Sequence, residues 1–271
     1  MEMEEDMDKI KRKIVFFDID GTIYRYGEPI PTDTLEGIKK LRENGHFAII
    51  CTGRTKSMIF PEILEIGFDG IIAGAGTYVE FGEEVLFEYT MDNTLAMDVI
   101  KYMSENKIMS IPEGIGAIYF DTQLMPKDYE PIYKLYQEKV GKRAIDLHSG
   151  CEVSISKISG RYLEGADRIG FIERYKDLFN IVNHGKNFIE MIPKGYSKAV
   201  GIEKLITELE IPIENTYAFG DGMNDYEMLN YVKYGVAMGN STEEFKKLMK
   251  FVTEDYDKGG ISNALDRFGL I

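Results

Sequence analysis

Two aspartates close the first apolar run of the chain: Ile14-Val15-Phe16-Phe17 leads into Asp18-Ile19-Asp20-Gly21-Thr22. Side chains two apart on a strand point to the same side, so the spacing predicts that Asp18 and Asp20 share a face at its C-terminal end. Carboxylates held that close repel unless a cation lies between them, and the cation suited to acidic oxygen ligands is magnesium. Asp18 can attack phosphorus as a nucleophile. Asp20 can protonate a departing alkoxide and later deprotonate the attacking water. Gly21 lets the chain leave the strand sharply, although Asp-Gly is also a common turn pair that needs no chemistry.

Three further clusters follow apolar runs or open helices. In Cys51-Thr52-Gly53-Arg54 a hydroxyl and free backbone N–H groups at a helix start can cradle phosphate oxygens; Thr52 can equally cap the next helix. Pro193-Lys194-Gly195-Tyr196-Ser197-Lys198 precedes an amphipathic helix, and a lysine in a first helical turn opposes the helix dipole. A bound phosphate would supply a reason for Lys198, with Lys194 as competitor. Gly220-Asp221-Gly222-Met223-Asn224-Asp225 packs two glycines, two carboxylates and an amide into six residues. Asp221 can complete a magnesium shell begun by Asp18 and the backbone carbonyl of Asp20. Neither Asp18 nor Asp221 begins a calcium-loop pattern.

These clusters need elements to hold them. Strands at 14–18, 47–51 and 70–73 alternate with helices around Thr34–Asn44 and Ser57–Glu65, which predicts βαβ crossovers and a parallel sheet. The grammar returns late, with helices over Ser197–Leu209, Asn224–Asn230 and Thr242–Met249 and strands at Thr216–Gly220 and Tyr234–Ala237. Between them the rhythm breaks. Strands at Ile115–Phe120, Glu152–Ile158 and Asn187–Ile192 mix with helices at Asn93–Asn106, Tyr129–Gly141 and Asp167–Leu178. The expected fold class is therefore α/β: a doubly wound, Rossmann-like parallel-sheet core of residues 1–83 and 188–271, with an inserted α+β domain at 84–187.

Composition narrows the function classes. The 271 residues carry 32 Lys+Arg against 46 Asp+Glu, a net charge of −14, which disfavours nucleic acid as partner while leaving room for a small phosphorylated molecule. Cys51 and Cys151 both lie in apolar or strand-like stretches and read as buried small side chains in a reducing interior. The acidic stretch Met1–Asp8 reads as a frayed tail and not as a signal peptide. No apolar run is long enough to span a membrane, so a cytoplasmic protein is expected. His46, His148 and His184 lack zinc-ligand spacing, and Gly74-Ala75-Gly76 is too short for a dinucleotide fingerprint.

Taken in order, Asp18-Ile19-Asp20-Gly21-Thr22, Thr52-Gly53-Arg54, Lys198 and Gly220–Asp225 resemble the four motifs of the haloacid dehalogenase-like (HAD) phosphatases. Within them the chain resembles the Cof-type branch, which carries a large α+β (C2-type) cap after the second motif. Ala237-Met238-Gly239-Asn240-Ser241 and Lys258-Gly259-Gly260-Ile261 also look like that branch, with Ser241 where alanine is usual. The resemblance implies a Mg²⁺-dependent hydrolase of phosphoric monoesters working through an aspartyl-phosphate on Asp18, with Asp20 as acid and base. It implies metal held by Asp18, Asp20 and Asp221 with Asp225 supporting, and phosphate held by Thr52, Gly53, Lys198 and Asn224. Arg54 would organise its loop or reach the substrate. A dehalogenase is disfavoured because a halide leaves without a proton, so Asp20 would have no task.

The implied substrates are sugar phosphates or similar small phosphorylated metabolites. Choice among them falls to the cap, where Tyr119, Asp121, His148, Glu152, Ser154 and Lys157 are candidates; their other reading is surface or strand-partner chemistry. A phosphomutase would return the phosphoryl group to substrate before water attacks. A non-catalytic phospho-ligand sensor would bind without turnover. Oligomeric state stays open.

Overall fold

The computed structural model describes residues 12–271, so the Met1–Asp8 reading lies outside the described residues. In chain order the described strands are β1 (Ile14–Phe17), β2 (Phe47–Cys51), β3 (Gly70–Ala73), β4 (Tyr78–Phe81), β5 (Glu84–Glu88), β6 (Ile108–Glu113) and β7 (Ile118–Phe120). They continue with β8 (Ala144–Asp146), β9 (Lys157–Tyr162), β10 (Phe179–His184), β11 (Phe188–Pro193), β12 (Thr216–Gly220), β13 (Tyr234–Ala237) and β14 (Phe251–Val252). The α-helices are α1 (Thr32–Glu43), α2 (Pro61–Leu64), α3 (Asn93–Glu105), α4 (Glu130–Val140), α5 (Arg168–Tyr175), α6 (Lys198–Glu208), α7 (Tyr226–Tyr231), α8 (Glu243–Lys246) and α9 (Gly260–Arg267).

The chain divides into two compact units. The first holds residues up to Gly53, then Glu62–Phe87 and Ser197–Ile271; the second holds Arg54–Pro61 and Glu88–Tyr196. The switches between units thus fall at 88 and 197 where the sequence rhythm suggests 84 and 188. The reason lies in the strands. β5 pairs into the first sheet, whereas β11 pairs antiparallel with β9 and β10 in the second.

In the first unit the sheet runs β14-β13-β12-β1-β2-β3-β4-β5, parallel from β14 to β3 and antiparallel at β3–β4. All four residues of β1 are fully buried, as expected of a central strand covered on both faces. Its neighbours are β2 on one side and β12 on the other, with Phe17 opposite both Ile50 and Phe219. Chain order reverses there, which opens a crevice beyond the strands' C-terminal ends. Thr52 and Asp221 follow β2 and β12 directly, as Asp18 follows β1.

The second unit is a six-stranded sheet, β10-β11-β9-β6-β7-β8, antiparallel except at β7–β8. Its apolar cluster joins Val99 and Met103 of α3, Phe171 and Tyr175 of α5, and Ile158, Ile189 and Met191 of the sheet. Two sequence expectations fail here. The strand read at Glu152–Ile158 is irregular up to 156 and pairs only from Lys157. Cys151 accordingly lies exposed while Cys51 is buried. β6, β8 and β10 answer to no strand read from the sequence; within β6 sits Pro112, a residue that lacks the ladder N–H. The helix expected at Ser57–Glu65 is a 3₁₀ turn at Lys56–Met58, in the second unit, followed by the single turn α2; in the first unit the helix expected at Thr242–Met249 shrinks to Glu243–Lys246. No described helix is long and apolar enough to cross a membrane.

Candidate active site

Asp18 is 3% exposed, and its backbone N–H still pairs with Phe219 O at 3.0 Å, so the sheet ladder fixes the residue that follows β1. A tight turn then carries the chain out of the sheet. Gly21 N–H donates to Tyr24 O at 2.9 Å and Thr22, Ile23 and Tyr24 all donate to Ile19 O. Gly21 has φ +80°, and a Cβ there would stand 2.1 Å from Asp221 Oδ2. Only glycine satisfies both the left-handed backbone and that approach. Asp20, unlike Asp18, is exposed.

Lys198 is what binds the cluster. It begins α6, 4% exposed, and its ammonium donates to Asp18 Oδ1 and to Asp225 Oδ1, each at 2.5 Å. The unfavourable dipole position noted from the sequence is therefore offset by two buried carboxylates. Ser197 caps the helix through Val200 N–H, and Cys51 Sγ lies 3.9 Å from Lys198 O. The seat of the helix is Gly74-Ala75-Gly76, all with positive φ; a Cβ on Gly76 would lie 2.2 Å from Ser197 O, and one on Gly201 2.4 Å from Ile72. This glycine run positions Lys198, a role no local motif announces.

Asp225 is fully buried, and its second oxygen accepts from the N–H groups of Asp221 (2.9 Å) and Gly222 (3.2 Å). Asp18, Asp221 and Asp225 each offer a carboxylate oxygen, all within 4.8 Å of one another. Asp20, whose expected metal contact is its backbone carbonyl, is not among these three carboxylates, and Asp225 is. Burial first, and then Asp225, push the Asp18 carboxyl well above its usual range, with Lys198 opposing. Burial works against the Lys198 ammonium too, but Asp18 and Asp225 outweigh it and hold it above the ordinary lysine value. Burial and Asp225 raise Asp221 to about 6.

The remaining expected residues fall as follows. Thr52 is buried, its N–H donating to Ile72 O (2.9 Å) and its carbonyl accepting from Ala75 N–H (3.0 Å). Gly53 is half-buried at the end of its strand and Asn224 is exposed beside Asp225. Arg54 belongs to the second unit, donates to Met58 O at 3.3 Å and lies 4.6 Å over the Phe60 ring.

Of the specificity candidates, Lys157 is buried between Glu113 (3.4 Å) and Glu190, which makes it a partner for two strands. Asp121, itself buried, pairs with His148 at 2.8 Å; Tyr119 Oη accepts from Ser154 N–H at 3.3 Å; Glu152 is exposed.

A family model described as haloacid dehalogenase-like hydrolase matches residues 15–265, and the chain belongs to that family. Its members of this kind are phosphoric monoester hydrolases, and the chain is one, of the Cof-type branch. It is 31% identical to "Putative phosphatase YkrA" of Bacillus subtilis over 96% of this chain and 98% of that one. It is 26% identical to the 5-amino-6-(5-phospho-D-ribitylamino)uracil phosphatase YitU of the same organism, over 95% and 98% respectively. A solved structure named as the HAD subclass IIB sugar phosphatase BT4131 superposes with a TM-score of 0.79 at 25% identity, covering 96% of this chain and all of that one.

Proposed function

We propose that the protein is a magnesium-dependent phosphatase of small phosphorylated metabolites that works through an aspartyl-phosphate on Asp18. The observation that carries this reading is the buried Lys198 ammonium shared by Asp18 and Asp225, with Asp221 in reach of both. Three carboxylates surround one ammonium, so one hard cation beside them balances the charge, and their oxygens are the donors magnesium prefers. Asp18, Asp221 and the Asp20 carbonyl would hold it, and Asp225 would fix the Asp221 backbone. When bound, the metal supplies positive charge to the phosphate oxygens.

The steps then follow from the residues. Thr52, Gly53, Lys198 and Asn224 hold the phosphate. One Asp18 oxygen attacks phosphorus in line, the ester P–O bond breaks, and Asp20 gives its proton to the leaving alkoxide. Water next attacks phosphorus, Asp20 takes its proton, and the bond to Asp18 breaks to release inorganic phosphate. Lys198 opposes the upward push of burial on the Asp18 carboxyl and would offset the charge of the approaching dianion.

The second unit serves as cap in this reading, and its residues choose the leaving group. The substrates for which the relatives are named, a sugar phosphate and a phosphoribitylamino-pyrimidine, support a small polar leaving alcohol. A panel of sugar and nucleotide-like phosphomonoesters, assayed for phosphate release with and without Mg²⁺, tests it. Metal-dependent release from at least one member is expected; none from any member would overturn it.

Metal uptake should strengthen as pH rises through about 6, the value to which Asp221 is raised. The sign follows from linkage. A carboxyl with a raised folded pKa favours folding below its unfolded value and loses that contribution as pH climbs through the folded one, while the carboxylate that appears is the form a metal requires. Thermal unfolding should therefore show a larger Mg²⁺-induced rise at about pH 7.5 than at about pH 5. Equal rises would contradict Asp221 as a ligand.

A further inference from the structure

Near the expected general acid stands a cation that no step above uses. Asp20 pairs with Tyr24 in an isolated parallel bridge, and Arg25 comes next in the chain. Because Asp20 serves the leaving oxygen in the phosphatase reading, Arg25 falls on the leaving group's side. Its guanidinium is half-buried and lies 4.8 Å over the Tyr256 ring. That ring is a fixed platform. Tyr256 is 1% exposed, its N–H donates to Asn240 Oδ1 at 2.8 Å, and its Oη donates to Pro29 O at 3.0 Å. Asn240 in turn donates to Gly21 O at 2.9 Å, and Gly21 abuts Asp221. The loop that carries Arg25 is closed by Glu28 N–H donating to Arg25 O at 3.2 Å, with Gly27 at φ +81° within it.

The charge is felt at the site. Burial and Asp225 raise the Asp221 carboxyl, while Lys198 and then Arg25 pull it down. Yet among the described residues the guanidinium makes no ion pair or hydrogen bond, and nearby Asp255 is held by Lys258 at 2.5 Å. In a chain with 46 Asp+Glu against 32 Lys+Arg, an arginine that no carboxylate takes stands out. Stacking occupies its face and leaves the N–H donors of its edge, a fork that fits a carboxylate or a phosphate.

We propose that Arg25 is a specificity-determining residue that binds a second anionic group on the substrate, a carboxylate or a further phosphate on the leaving alcohol. This rests on the phosphatase reading above and narrows its substrates to phosphomonoesters that carry another acid.

Paired substrates test it: glycerol 3-phosphate with 3-phosphoglycerate, and glucose 6-phosphate with 6-phosphogluconate and with glucose 1,6-bisphosphate. p-Nitrophenyl phosphate serves as the reference for activity. Wild type should favour the acidic member of at least one pair by about tenfold or more in kcat/KM, the scale of a charge-assisted hydrogen bond. The first two acidic members report a carboxylate and the third a phosphate. Arg25→Met, which keeps a stem over the ring, should erase that preference, chiefly through KM, and Arg25→Lys should keep part of it. The ratio within a pair cancels the fraction of enzyme folded, so partial misfolding cannot imitate the result. With wild type active, no preference in any pair, or one that survives Arg25→Met, would overturn this inference alone. Inactivity of wild type on every substrate with Mg²⁺ would remove the phosphatase reading and this inference with it.

Discussion

Asparagine at position 18 is expected to abolish phosphate release, by about 10⁴-fold or more, as loss of a nucleophile does when no neighbour can replace it. Neither Asp20, exposed beyond the turn, nor Asp225, whose oxygens are committed to Lys198 and two backbone N–H groups, can take over. The same change should leave the metal-free protein as stable as wild type or more so. Burial and Asp225 both disfavour the Asp18 carboxylate, so an amide removes a group whose charge opposes folding while Lys198 keeps Asp225. Stabilisation by Mg²⁺, which scales with affinity, should shrink in the variant. Thermal unfolding with and without Mg²⁺, alongside a phosphate assay, measures all three; a destabilised metal-free variant would show that Asp18 is held for structure.

Lys198→Met should act in the opposite sense on stability. It leaves Asp18 and Asp225 buried together with no cation, and removing one member of a buried ion pair costs about 3–5 kcal/mol. Methionine fills much the same space, so the loss is chiefly electrostatic. Turnover should fall about 10²- to 10³-fold because the positive charge facing the phosphoryl oxygens is gone. Mg²⁺ should recover part of the stability by neutralising the same carboxylates. Urea unfolding in both conditions checks this. A variant as stable as wild type without metal would mean that the two carboxylates are protonated in the folded chain.

The candidate site was legible in the sequence because Asp18, Thr52 and Asp221 directly follow largely buried apolar strands, where β1, β2 and β12 end. Apolar runs of that kind announce central strands, and polar residues at their ends stand out. What stayed hidden depends on partners distant in the chain. Lys198 finds Asp18 180 positions away, and Asn240 finds Gly21 across 219. In the second unit β9 reads as polar because Lys157 and Ser159 are buried against Glu113 and Glu190 of neighbouring strands, satisfied by pairing and not by solvent. Strand alternation cannot report that. Asn240 was visible as part of a motif, but not its amide donating to Gly21 O and accepting from Tyr256 N–H.

The most direct test of the central claim is to trap the phosphoryl group on the protein. Asp20→Asn should let p-nitrophenolate leave without a proton yet deprive the attacking water of its base. Mixed with excess p-nitrophenyl phosphate and Mg²⁺, then quenched in acid, it should give a burst of p-nitrophenolate close to one per active site and a phosphorylated peptide whose modified residue is Asp18. Phosphate release with no protein-bound phosphoryl group, or with the group on another residue, would contradict the account.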